Sequence, residues 1–421
     1  MIDYKEKKLS NGLRIISAPV KTSEAVTVFI LTGVGGRFES KENSGISHFL
    51  EHLFFKGTKK RPSAHALAKE LDGLGANYNA FTSEECTGFY IQSSANDFAA
   101  SLELISDLFL NPLFPEEEFE REKGVILEEA NMRRDVPQVH VQVLSQEQMF
   151  PGSPLGHDLV GTPESVKKIT REDVAQYFKA GYNPSSTILV IAGNPKNFNW
   201  EQAAEQIFTK MENNQKPEYL PFSDSKIDQK IAQEVRKVDQ THLIFSARTF
   251  CKTDERRFAL AILSTVLGGG MSSRLFSEIR EKRGWAYYVS SDYQGFFDTG
   301  LFSISAGVKS DKVKESVEII VSEIENLKSE GPKAEELERA KNNLRGHLAL
   351  ALEDSFEIAG FLAEGIYYDD KALQPEQIIE KLNAVSAEDV KKVAQDVFQS
   401  GKIGLALIGP KDYKKDLENL F

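Results

Sequence analysis

The stretch His48-Phe49-Leu50-Glu51-His52 sets two imidazoles four residues apart with a carboxylate between them. On a helix, residues i and i+4 stack on one face and i+3 lies beside them. Imidazoles held that way can share one metal ion, and the carboxylate can act on water beside it. The order H-x-x-E-H reverses the commoner H-E-x-x-H. With seven His in 421 residues, the pattern arises by chance in on the order of one per cent of such chains. Asn43-Ser44 offers an N-cap and Lys56-Gly57 a stop. Ile46, Phe49, Leu50, Leu53 and Phe54 supply a broad apolar face, so the helix should be largely buried. A buried imidazole pair needs a polar partner.

A catalytic zinc takes a third protein ligand and keeps a position open for water. The segment Pro115 to Arg134 predicts a second helix. Pro115 suits its first turn, and Glu116, Glu117 and Glu118 suit the positive end of its dipole. Glu122, Val125, Ile126 and Glu129 share one face, whereas Glu128 points about a third of a turn away, toward solvent. On helix geometry, either Glu129 or Glu122 can be the third ligand, with the other bonding a ligand from behind.

The rest of the chain predicts an ordinary soluble protein of two to three domains, with 41% hydrophobic and 27% charged residues. A net charge of −12 argues against nucleic-acid binding and weakly favours basic peptides. Cys86 and Cys251 read as two free thiols. The first residues lack a signal-peptide pattern and no apolar run is long enough to span a membrane, so the expectation is cytoplasmic, with no membrane partner. Strand-like runs at Arg14–Ser17, Val26–Leu31, Phe89–Ser93 and Ile188–Ala192 alternate with helical stretches. A polar stretch from Glu212 to Gln233, with Pro217 and Pro221, reads as a linker. A second round follows: strands near His242–Ala247, Ala286–Ser291 and Phe302–Val308, and helices at Arg256–Leu267, Asp311–Ser329 and Ala334–Leu352. The domains expected are residues 1–213, a linker at 214–233, and residues 234–421. A faint repeat relates Glu116–Lys123 to Ala334–Lys341; in that register Glu122 falls on Ala340 and Glu129 on His347. One half then keeps the metal site and the other has lost it. Gly268-Gly269-Gly270 follows a helix and lacks a Gly-Lys-Ser/Thr, which argues against a phosphate loop. His65, His140, His157, His242 and His347 lack ligand spacing and read as structural.

The chain resembles the inverted-motif zinc peptidases of the pitrilysin, insulin-degrading and mitochondrial-processing-peptidase group, and looks most like their short, two-domain bacterial members. The likeness covers nearly the whole chain. It runs through Gly35–Glu39, Gly45–Thr58, Asn79–Thr82, Arg121–Glu129, Pro154–Gly156, Gly161, Tyr182–Pro184, Ala192–Asn194, Gly268–Phe276 and Ile279–Tyr287.

The resemblance implies an α+β fold of two homologous domains, each a mostly antiparallel sheet packed with helices, together forming half of a clamshell. It implies Zn²⁺ held by His48, His52 and Glu129, with Glu51 as general base and Glu122 behind the ligands. It places Arg280 and Tyr287 near the substrate from a domain facing the metal, where they would bond a substrate carbonyl and the developing oxyanion; Arg283 is a nearby decoy. It makes Asn79, Ala80, Phe81 and Thr82 an edge strand that pairs with extended peptide. The activity implied is zinc-dependent endopeptidase cleavage of unfolded peptides or small protein segments inside a dimeric chamber. The chamber partner is a second copy of the chain, or alternatively a paralogous subunit lacking the motif. The competing class is a non-catalytic or weakly catalytic peptide-binding subunit of a heteromeric complex.

Overall fold

Alternation of apolar residues toward two faces builds the first sheet. The computed structural model describes residues 1–195, 199–213, 218–224 and 226–420. Strands β1 (Lys5–Lys8), β2 (Arg14–Pro19), β3 (Ala25–Thr32), β4 (Asn77–Thr82), β5 (Thr87–Ser94) and β6 (Thr187–Gly193) order as β1-β2-β6-β3-β5-β4. Only β2 and β6 run parallel; the other neighbours are antiparallel. Val26, Val28, Ile30, Leu189 and Ile191 point to one face, packed by the helix Ile46–Phe54, hereafter the motif helix. Phe29, Leu31, Ile188, Val190 and Ala192 point to the other. That second face is covered by Ile358, Leu362, Ala363 and Ile366, all from the helix Ser355–Asp369 far along the chain.

The second sheet uses the same plan. Strands β7 (Ile231–Val235), β8 (Gln240–Thr249), β9 (Ala286–Gly295), β10 (Gly300–Lys309) and β11 (Ile403–Gly409) order as β7-β11-β8-β10-β9. Again one pair, β7 with β11, is parallel and the rest antiparallel. Strand for strand this matches β2-β6-β3-β5-β4. Val141 and Leu144, on the helix Pro137–Met149, cover Ala232, Ile244, Ala406 and Ile408 of this sheet.

The fold is therefore α+β, with two homologous sheet-and-helix units, and neither unit is one continuous stretch. The first comprises Met1–Asn131, His157–Leu220 and Ala349–Gln374; the second comprises Met132–Gly156, Pro221–Leu348 and Pro375–Phe421. Each sheet takes a covering helix from the other half of the sequence. The faint repeat persists in the helices. The helices starting at 116 and 137 recur at 334 and 355, the same 218 residues on. The capping boxes Thr170/Asp173 and Ser386/Asp389 lie 216 residues apart, at 170 and 386. The linker reading runs too far, because Ile231 already begins β7, where a polar stretch ends in Ile231 and Ala232, both buried against the sheet. Pro217 lies outside the described residues. Both cysteines are thiols. Among the described residues no helix is long and apolar enough to cross a membrane.

Candidate metal centre

Packing of two helices brings the predicted ligands together. The motif helix buries Ile46, Phe49, Leu50, Leu53 and Phe54. Phe49 stacks on Phe119 of the helix Glu116–Asp135, with ring centroids 4.8 Å apart and planes 10° from parallel. Phe119, Glu122 and Ile126 are buried on that second helix; Glu129 is half-buried, and Glu128 is exposed as expected. Val125, expected on the shared face, is 45% exposed, because Phe119 and Ile126 centre the contact instead.

His48 Nε2 lies 3.7 Å and His52 Nε2 3.6 Å from Glu129 Oε2. One ligand atom from each of the three lies within 4.8 Å of the others. A tetrahedral zinc with arms of about 2.0–2.2 Å separates its donors by about 3.3–3.6 Å. The donor set and its spacing thus fit a zinc ion, and this is the one such cluster among the described residues. Glu122 does not join it. Its Oε2 lies 3.1 Å from His52 Nδ1, on the far side of that ring from the cluster. Geometry therefore divides the two carboxylates that helix periodicity left interchangeable. Burial pulls the His52 imidazole down, but its bonds to Glu122 and Glu129 outweigh burial and raise it to about 9. Glu122 resists its own burial through His52 and Lys56 and sits below the usual carboxylate range.

Glu51 shares the motif helix. Burial raises its carboxyl above the ordinary range, against a 2.6 Å hydrogen bond that Thr82 Oγ1 donates to its Oε2. Thr82 ends β4, which among the described residues pairs only with β5, in the register Asn79↔Tyr90 and Thr82↔Thr87, and stands at the edge of the sheet. Asn79 and Phe81 are exposed, and Ala80 is buried. Arg280 and Tyr287 belong to the second unit and are both exposed. Arg280 stacks over Phe276, and Tyr287 sits on the edge strand β9. Arg283, the decoy, is tied to Glu278 at 2.6 Å. The first two glycines of the run allow close packing: a Cβ on Gly268 would lie 2.4 Å from the backbone nitrogen of Ser291, and one on Gly269 2.6 Å from Thr265 Cα. His140 bonds Glu234 and His242 bonds Tyr288, both at 3.0 Å.

Two residues escaped the sequence reading. The motif helix does not begin with an Asn43 or Ser44 cap. Gly45 occupies the cap position at φ 94°, with no side-chain cap bond. A Cβ there would meet the Val160 carbonyl at 2.6 Å, so only glycine fits. The free N–H groups of Gly45 and Ser47 go instead to the two oxygens of buried Glu39, at 2.7 and 2.8 Å. Burial drives this carboxyl up to about 7, although both N–H groups favour its charge. No periodicity links Glu39 to the motif. Lys56, read as part of a helix stop, places Nζ 2.7 Å from Glu122 Oε1.

Comparison with known proteins agrees with this geometry. Residues 14–163 match the family described as Insulinase (Peptidase family M16), and residues 168–344 match Peptidase M16 inactive domain. An uncharacterized zinc protease of Streptomyces coelicolor is 33% identical over 96% of this chain and 88% of its own length. One of Bacillus subtilis is 32% identical over 95% and 97%. Among solved structures, a protease from Helicobacter pylori superposes with a TM-score of 0.91 at 24% identity, covering 97% of this chain and all of the other. The chain belongs to peptidase family M16, as one of its short, two-domain members.

Proposed function

We propose that this chain is a zinc-dependent endopeptidase acting on extended peptides. The observation that carries the reading is the convergence of His48, His52 and Glu129 beside a half-buried Glu51. His48, His52 and Glu129 would hold Zn²⁺. Bound there, the ion would supply a Lewis acid and a water acidic enough to lose its proton near neutral pH. Glu51 would take that proton and later give it to the leaving amine. Thr82 holds one Glu51 oxygen, leaving the other for the proton. The edge strand β4 offers main-chain hydrogen bonds to an extended substrate, which suits broad sequence tolerance.

Arg280 and Tyr287 complete the reading if they reach the substrate from a second copy of the chain in a dimeric chamber. Their exposure supports that role. The decisive test measures bound zinc and cleavage of an unfolded-peptide library, with and without chelator. One zinc per chain with chelator-sensitive cleavage is expected; stoichiometric zinc without hydrolysis of any peptide overturns the enzyme reading. Mixing Glu51→Gln chains with Arg280→Ala chains is expected to restore one working site per mixed dimer. No recovery in confirmed mixed dimers would eliminate the arrangement across subunits.

A further inference from the structure

We infer that Lys56 is a positioning residue for the metal site, acting through Glu122. The inference rests on the zinc reading above and adds a residue to it. Lys56 follows His52 by four residues, just beyond the end of the motif helix at Phe54. Its side chain is 21% exposed while that of Glu122 is 6% exposed. The two Glu122 oxygens are thus divided between two donors: Oε1 takes Lys56 Nζ at 2.7 Å, and Oε2 takes His52 Nδ1 at 3.1 Å.

That division fixes the carboxylate. With only one anchor, a carboxylate can swing about its terminal bond; with two on opposite oxygens, its plane is set. A set plane fixes where Oε2 meets Nδ1, which in turn aims His52 Nε2 at Glu129 Oε2, 3.6 Å away. Partners that orient a ligand from behind typically govern metal affinity by about 10- to 100-fold. Lys56 and His52 leave one helix end one turn apart, so a single backbone segment delivers both the ligand and the clamp on its orienting group.

The test is a zinc titration of the full-length chain against a competing chromogenic chelator, with no turnover involved. Lys56→Met, which keeps the aliphatic stem, is expected to weaken zinc binding by about tenfold or more. Glu122→Gln is expected to weaken it as well, and adding Lys56→Met to Glu122→Gln should cost little more. Wild-type affinity in Lys56→Met overturns the inference, as does a loss that adds in full to that of Glu122→Gln. If the unsubstituted chain binds no zinc at all, the zinc reading itself fails, which is a different result. Circular dichroism of the metal-free chains accompanies the titration. Should Lys56→Met not fold, Lys56→Gln takes its place with the same two outcomes.

Discussion

The helices Ile46–Phe54 and Arg257–Gly268 hold the same place in their units. Each follows the equivalent strand in the chain and precedes the next strand, β3 and β4 in one unit, β8 and β9 in the other. One carries two imidazoles and a carboxylate and is started by a buried acid. The other reads Arg-Phe-Ala-Leu-Ala-Ile-Leu-Ser-Thr-Val-Leu-Gly and packs as plain core. The same contrast holds between the helices Glu116–Asp135 and Ala334–Ala351, where Glu122 and Glu129 face Ala340 and His347 in the repeat register. Ala340 is buried and His347 exposed, so neither offers a ligand beside its neighbour helix. Fold and candidate site are thus separable: the same strand order carries the His48, His52 and Glu129 cluster in one unit and, among the described residues, no such cluster in the other.

The sharpest way to break this comparison is at Glu51. Glu51→Gln is expected to lower kcat by roughly 10²- to 10⁴-fold while zinc content stays at wild type; loss of zinc together with activity would mean that Glu51 is structural. Next comes the exchange of one half's residue into the other. Glu122→Ala, which installs the residue of the second unit, should weaken zinc binding by about 10- to 100-fold, whereas His347→Ala should leave zinc content unchanged.

The cap is the third point of contrast. Glu39→Ala leaves two buried N–H groups without their acceptor and should cost about 1–3 kcal/mol in denaturant unfolding. Its pH dependence has a definite sign. Folding raises this carboxyl from an ordinary 4.5 to about 7, so its proton is held more tightly in the folded chain. That contribution is full below about 4.5 and is lost as pH rises through about 7. The melting temperature of wild type should therefore drop more than that of Glu39→Gln between about pH 5 and about pH 8. Parallel curves would remove Glu39 from the account. The smallest effect is expected at Thr82. Thr82→Val removes one half-buried hydrogen bond to Glu51, worth about 1 kcal/mol net, and should reduce kcat more than it raises KM.

Much of this was legible in the chain because it is local. Strand alternation located β2, β3, β5 and β6 within a residue or two, and helical spacing put His48 with His52 and Glu122 with Glu129 on common faces. Which carboxylate joins the two imidazoles was not local, since it depends on how Phe49 seats against Phe119. Glu39 and Lys56 were missed for the same reason. A carboxylate seven residues before a helix start, or a lysine past its end, shows no period; only the closed structure reveals which N–H or oxygen each one meets. The strand Ile231–Val235 was hidden at the end of a polar stretch because it is short and buries only its first two residues.

The covering of the first sheet by the helix Ser355–Asp369 bears on how the protein is made. Synthesis is vectorial, and a domain generally folds once its residues have left the ribosome. Here Phe29, Leu31, Val190 and Ala192 have their cover only when residues past 350 emerge. The sheet beside the candidate site is synthesised well before the helix that completes it. Until then it presents an apolar face to the cell, a surface on which a nascent-chain chaperone would be expected to sit.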